Sequence, residues 1–238
     1  MGFVLFFLVY TTALAVRVAL RRQPLPRRLS NAALRSFGAR QVLFVVVLCL
    51  GFLSGGLSAG SVGIPHRIRW PETILAGEIA FLAVLVGNLL LMLALRRLGP
   101  MRLVAARGNL RAWPRGRPDK WLAAVVIMVF NPFVEELVMR GVLIHQWGLI
   151  LGSPVLPIIT GVVLNGALHW YQGWRMQAWH AMYFTVAVWL LYSPWGLPAA
   201  MAAHVLGDVL PVLLLKRNLK ASHAARRREL RRAAMSTG

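Results

Sequence analysis

Two adjacent glutamates, Glu135 and Glu136, stand in the apolar stretch N-P-F-V-E-E-L-V-M-R-G-V-L, with Arg140 four residues after the second. Ionised groups inside hydrocarbon are costly and persist where they pair, line a wet cavity or do chemistry. On a helix Glu136 and Arg140 are i,i+4 neighbours and share a face, so they can pair. Glu135 is rotated by about 100° from Glu136 and points elsewhere. One carboxylate can thus be held by the guanidinium while its neighbour stays free for a proton or a metal. Further along, His204 and Asp208 are again four apart, and His169 stands in V-V-L-N-G-A-L-H-W. A carboxylate one turn from an imidazole can take its N–H and fix tautomer and ring orientation. Carboxylates, imidazoles and a guanidinium together are the materials for activating a water and stabilising an anion.

These residues sit in a chain of 238 residues that is 58% hydrophobic and only 14% charged, where a soluble domain of this size carries about 25% charged residues. The mean hydropathy of +0.63 points the same way, to an all-α polytopic integral membrane bundle. The net charge of +20 does not signal a nucleic-acid partner, because the basic residues cluster between long apolar runs and not on a polar domain. Cys49 is the single cysteine and lies in an apolar run, so no intramolecular disulfide can form.

Seven runs approach the roughly 17–25 residues a span needs. They are Gly2–Val18, Val42–Ala59, Thr73–Leu95, Trp121–Leu143, Pro154–Tyr171, Ala178–Tyr192 and Pro194–Leu215. The first is interrupted by Arg17, and its basic residues follow the apolar core, unlike a signal peptide. Strongly basic segments fall between the first and second runs, between the third and fourth (Arg96 to Lys120), and in the tail (Lys216 to Arg232). The connection holding Arg67 and Arg69 is weakly basic. The positive-inside rule then puts the amino terminus outside and the tail in the cytoplasm, with a plasma or inner membrane as the setting. The basic segments read chiefly as topology signals and secondarily as contacts to anionic lipid headgroups. The expected organisation is a single membrane domain over 1–238, with a catalytic core at 121–215 and a basic cytoplasmic tail at 216–238.

Four acidic residues fall inside spans: Glu78, Glu135, Glu136 and Asp208. Glu78 has no obvious partner and stays outside the site. Asn131-Pro132, Ser153-Pro154 and Ser193-Pro194 all read as an N-cap followed by a first-turn proline. The last two mark the outer ends of the fifth and seventh spans, and at 1.5 Å per residue Glu135, His169, His204 and Asp208 all lie roughly 12–21 Å below the outer edge, near one depth. Agreement across three helices favours one shared site.

At these residues the sequence resembles the CAAX-protease and bacteriocin-processing family of intramembrane proteases, which includes the eukaryotic Ras-converting prenyl endopeptidase. The family pattern runs E-E-x-x-x-R, F-x-x-x-H, then H-x-x-x-N or H-x-x-x-D. Glu135, Glu136 and Arg140 match the first motif, His169 the second with Asn165 in place of phenylalanine, and His204 with Asp208 the third. The resemblance spans about Trp121 to Leu215. It implies an intramembrane endopeptidase acting on membrane-associated proteins, CAAX-type substrates among them. Glu135 then acts as general base with His169, Arg140 holds Glu136 ionised, and His204, oriented by Asp208, stabilises the oxyanion. The family is described both as metal-dependent and as glutamate-dependent. A His₂Glu zinc site of Glu135, His169 and His204 and a metal-free mechanism therefore both stand as expectations.

Other classes fit less well. No H-E-x-x-H occurs, as a site-2-type zinc protease requires. Gly207-Asp208 matches half of a presenilin-type aspartate pair, without the second span's aspartate. Gly56-Leu57-Ser58-Ala59-Gly60 fits G-x-S-x-G, yet lacks the strand-to-helix context and reads as small-residue helix packing. A proton-coupled transporter would show two related halves, and none is visible. A non-catalytic scaffold or immunity protein of the same fold is the remaining alternative.

Overall fold

The computed structural model describes residues 1–19, 31–94, 129–170 and 174–210. The basic third connection, the approach to the fourth run from Trp121 to Met128, and the tail 216–238 lie outside the described residues.

Apolar runs of this length form helices because every backbone polar group is then satisfied within the segment. Among the described residues the chain is helical and without strands. In chain order the helices are α1 (Gly2–Ala19), α2 (Asn31–Leu53) and α3 (Trp70–Ala94). A composite α4 follows, α-helical over Asn131–Glu136, π-helical over Leu137–Gln146 and α-helical again over Trp147–Leu151. The last three are α5 (Val155–Leu168), α6 (Trp174–Leu191) and α7 (Gly196–Leu210). Of these, α3 holds a stretch of 22 residues, Trp70–Leu91, that is long and apolar enough by itself to cross a membrane, with a mean hydropathy of 2.3.

Several expected boundaries move. The second run ends at Leu53, not Ala59, because Gly55 turns the chain with φ 71°. The G-x-S-x-G stretch is consequently loop and a 3₁₀ turn at Gly60–Val62, not a helix-packing face. Asn131 is not an N-cap: Phe130 before it is already helical, and the Asn131 side chain bonds one turn ahead instead of to the backbone. Ser153 Oγ does accept the Val155 N–H, at 3.4 Å, so the fifth start stands nearly as read. The seventh begins two residues late, since Pro194 lies in a turn and Gly196, at φ 58°, opens the helix. No side chain fits there: a Cβ on Gly196 would meet the Gly63 carbonyl oxygen, and the next amide, Leu197 N–H, bonds that oxygen at 2.8 Å.

Two apolar clusters build the bundle. One joins α1, α2, α4 and α5 through Phe7, Phe44, Val134, Val142 and Leu164. The other joins α3, α6 and α7 through Ala80, Phe81, Tyr183, Ala187 and Ala203. Small residues let α3 and α7 touch: a Cβ on Gly77 would come within 2.8 Å of the Ala199 carbonyl oxygen. Ile144, Phe184, Leu191 and Leu197 bridge the two halves. The polar residues of interest gather along this junction.

Candidate functional site

The local sequence dictates the first contact. With Glu136 and Arg140 one turn apart, the guanidinium reaches the carboxylate, and Arg140 Nη1 lies 3.3 Å from Glu136 Oε1. Both side chains are fully buried, with exposures of 1% and 0%. Isolated charges at such depth would be very costly, so packing must compensate them. It does so in two ways. The Arg140 guanidinium carbon sits 4.8 Å from the Phe184 ring centroid and 5.6 Å from that of Tyr183, both on α6. Glu136 Oε1 meanwhile accepts the Tyr183 hydroxyl at 3.0 Å and His204 Nδ1 at 2.7 Å. Three helices therefore meet on one carboxylate oxygen.

This arrangement corrects one expectation. His204 Nδ1 is taken by Glu136 on α4, not by Asp208 one turn along α7. The imidazole faces the bundle junction, where the buried carboxylate is a direct partner. Asp208 remains close enough to act electrostatically on His204, Glu135 and Glu136. A carboxylate can only accept, so the Nδ1 facing Glu136 carries a proton and the ring orientation is fixed.

Glu135 belongs to a different network, as its rotation from Glu136 requires. Its Oε2 accepts the Asn131 side-chain amide at 3.0 Å. Asn131 Oδ1 in turn accepts the Gln41 amide from α2, at 2.5 Å. Glu135 lies within electrostatic reach of His204, His169 and Arg140.

His169 is the first residue past α5, and its Nδ1 lies 3.1 Å from the Asn165 carbonyl oxygen. A carbonyl can only accept, so Nδ1 carries the proton and Nε2 is the acceptor. Asn165 is buried, and its backbone serves the histidine whatever side chain replaces phenylalanine there. The His180 ring from α6 packs on His169, with centroids 3.9 Å apart.

The six expected site residues, Glu135, Glu136, Arg140, His169, His204 and Asp208, come from α4, the end of α5 and α7 and converge on this junction. Glu78 is exposed on α3, outside it. Sequence reasoning did not single out Tyr183, His180, Gln41 or the side-chain role of Asn131. Polar side chains within or at the edge of apolar runs were the available signal. The π-helical segment of α4 was also unforeseen; such widened turns are rare and recur at functional sites.

The residues do not fit the zinc expectation. Among the described residues no three His, Cys, Asp or Glu side chains gather to hold one ion. The Nδ1 atoms of His204 and His169 both meet protein oxygens, so a metal could be reached only through the Nε2 atoms of these rings.

No curated protein and no solved structure matches the chain. Residues 117–210, which include all six site residues, match the family model described as type II CAAX prenyl endopeptidase, Rce1-like.

Proposed function

We propose that the protein is an intramembrane endopeptidase that hydrolyses peptide bonds of membrane-associated substrates, CAAX-type proteins among the candidates. The observation that carries this reading is the pairing of two differently held glutamates: Glu136 locked by Arg140, Tyr183 and His204, and Glu135 beside it, accepting a hydrogen bond from Asn131. Glu135 takes a proton from a water that His169 helps to orient, as the water oxygen attacks the scissile carbonyl. The doubly protonated His204, stabilised by Glu136, donates Nε2–H to the developing oxyanion. Glu135 then returns its proton to the leaving amine. Asp208 stands near His204 without taking its Nδ1.

A membrane setting explains the outer surface of the bundle. Only 22% of the apolar window in α3 is buried, and Ile74, Leu75, Ile79, Leu82, Val86, Leu89 and Leu90 face outward. Soluble monomers rarely expose so large a contiguous apolar patch. The seven helices then cross a plasma or inner membrane with the amino terminus outside, the basic tail in the cytoplasm and anionic headgroups at its surface.

The test is reconstitution of the purified protein in liposomes with a library of membrane-anchored peptides, followed by sequencing of the cut sites. Glu135→Gln, which keeps an oxygen for the Asn131 amide, should remain folded and lose roughly 10²–10⁴-fold in cleavage rate. Cleavage that persists at the wild-type rate in that variant would remove Glu135 as base.

A further inference from the structure

Glu135 is held from outside the matched segment. Its Oε2 accepts from Asn131 Nδ2, and Asn131 Oδ1 accepts from Gln41 Nε2, across 90 residues of sequence. The direction of this relay follows from chemistry. An ionised carboxylate only accepts, so Asn131 must present its NH₂ to Glu135 and its carbonyl oxygen to α2. A group that donates must stand opposite that oxygen, and Gln41 supplies it. With its amide reversed, Gln41 would face Asn131 oxygen to oxygen and push it to rotate its own oxygen toward the carboxylate.

Gln41 is itself buried at 5% exposure, and among the described residues its Oε1 has no hydrogen-bond partner. A buried acceptor left unpaired is unfavourable. The side chain forgoes that bond while making the one to Asn131. Packing of α2 against the Asn131–Glu136 segment brings the two amides together.

We propose that Gln41 is a positioning residue for Glu135, fixing through Asn131 the donor that aims this carboxylate. The proposal rests on the protease reading for its kinetic consequence only. The relay has a readout of its own.

Gln41→Met keeps the volume of the side chain and removes the donor. Using whichever anchored peptide the library identifies, its kcat should fall about 10–100-fold while KM changes less than about twofold, since a group acting only on the base affects chemistry and not uniform binding. Asn131→Leu should reproduce the loss. The double variant should be no slower than Asn131→Leu alone, because the two residues act in series. Independently of any substrate, dicyclohexylcarbodiimide, an apolar reagent for protonated carboxyl groups, should label Glu135 several-fold faster in Gln41→Met than in wild type, as read by peptide mass spectrometry. Labelling of Glu136 should not change. Wild-type kcat and labelling in Gln41→Met, or additive losses in the double variant, would overturn the relay. Gln41→Asn, which keeps the amide but shortens the arm, should behave as Gln41→Met does. Loss of the fold in both Gln41 variants would assign the residue to structure and likewise overturn the proposal. A wild type that cleaves nothing fails the protease reading instead, and labelling then decides the relay alone.

Discussion

Glu136 Oε1 and His204 Nδ1 lie 2.7 Å apart across α4 and α7, and the oxygen is the same one that meets Arg140 and Tyr183. A single fully buried oxygen therefore balances a guanidinium, an imidazole and a hydroxyl. Its companion Oε2 and Arg140 Nε have no hydrogen-bond partner among the described residues, so the balance depends on that one convergence.

Removing one member of the pair should be far worse than removing both. Glu136→Gln and Arg140→Met should each cost about 3–5 kcal/mol, because each leaves a charge buried without its partner. Glu136→Leu combined with Arg140→Met should recover much of that stability while remaining inactive. Thermal unfolding in a fixed detergent measures all of them. A double variant as unstable as the sum of its parts would refute the pairing.

Tyr183→Phe retains the ring near Arg140 and removes the hydroxyl that Glu136 accepts. A hydrogen bond to a charged group contributes about 1.5–3 kcal/mol, and that loss should appear in unfolding. An unchanged midpoint would mean that the hydroxyl contributes nothing to the buried carboxylate.

Asp208→Asn should preserve most cleavage. The carboxylate that fixes the His204 tautomer is Glu136, and asparagine leaves that bond intact. Kinetics on an identified peptide would show it. A loss as deep as that of His204→Ala would return the orienting role to Asp208.

Activity should survive chelators, and elemental analysis of the purified protein should find less than one zinc per chain, since no three ligating side chains gather among the described residues. Stoichiometric zinc that disappears in both His169→Ala and His204→Ala would establish the zinc site instead.

Seven spans require opposite sides for the connection after α2 and for the tail. Single cysteines introduced at Arg69 and Ala224, in a Cys49→Ser background, should be labelled from opposite faces of intact vesicles. Labelling of both from one face would break the topology.

The sequence determined everything that depends on helical geometry within one segment. Apolar runs had to become helices, and Glu136 and Arg140 had to share a face because four residues nearly complete a turn. The ordered motifs also identified the residues that the family model covers. Contacts between helices were beyond that logic. His204 had a candidate carboxylate one turn away in Asp208, and packing gave its Nδ1 to Glu136. Asn131-Pro132 had the composition of a helix start, yet the helix continues through it and the asparagine serves Glu135. Gln41 carried no motif at all. Its role exists because α2 packs beside Asn131, and a hydrogen bond between residues 90 apart is set by the approach of two helices, which no local spacing encodes.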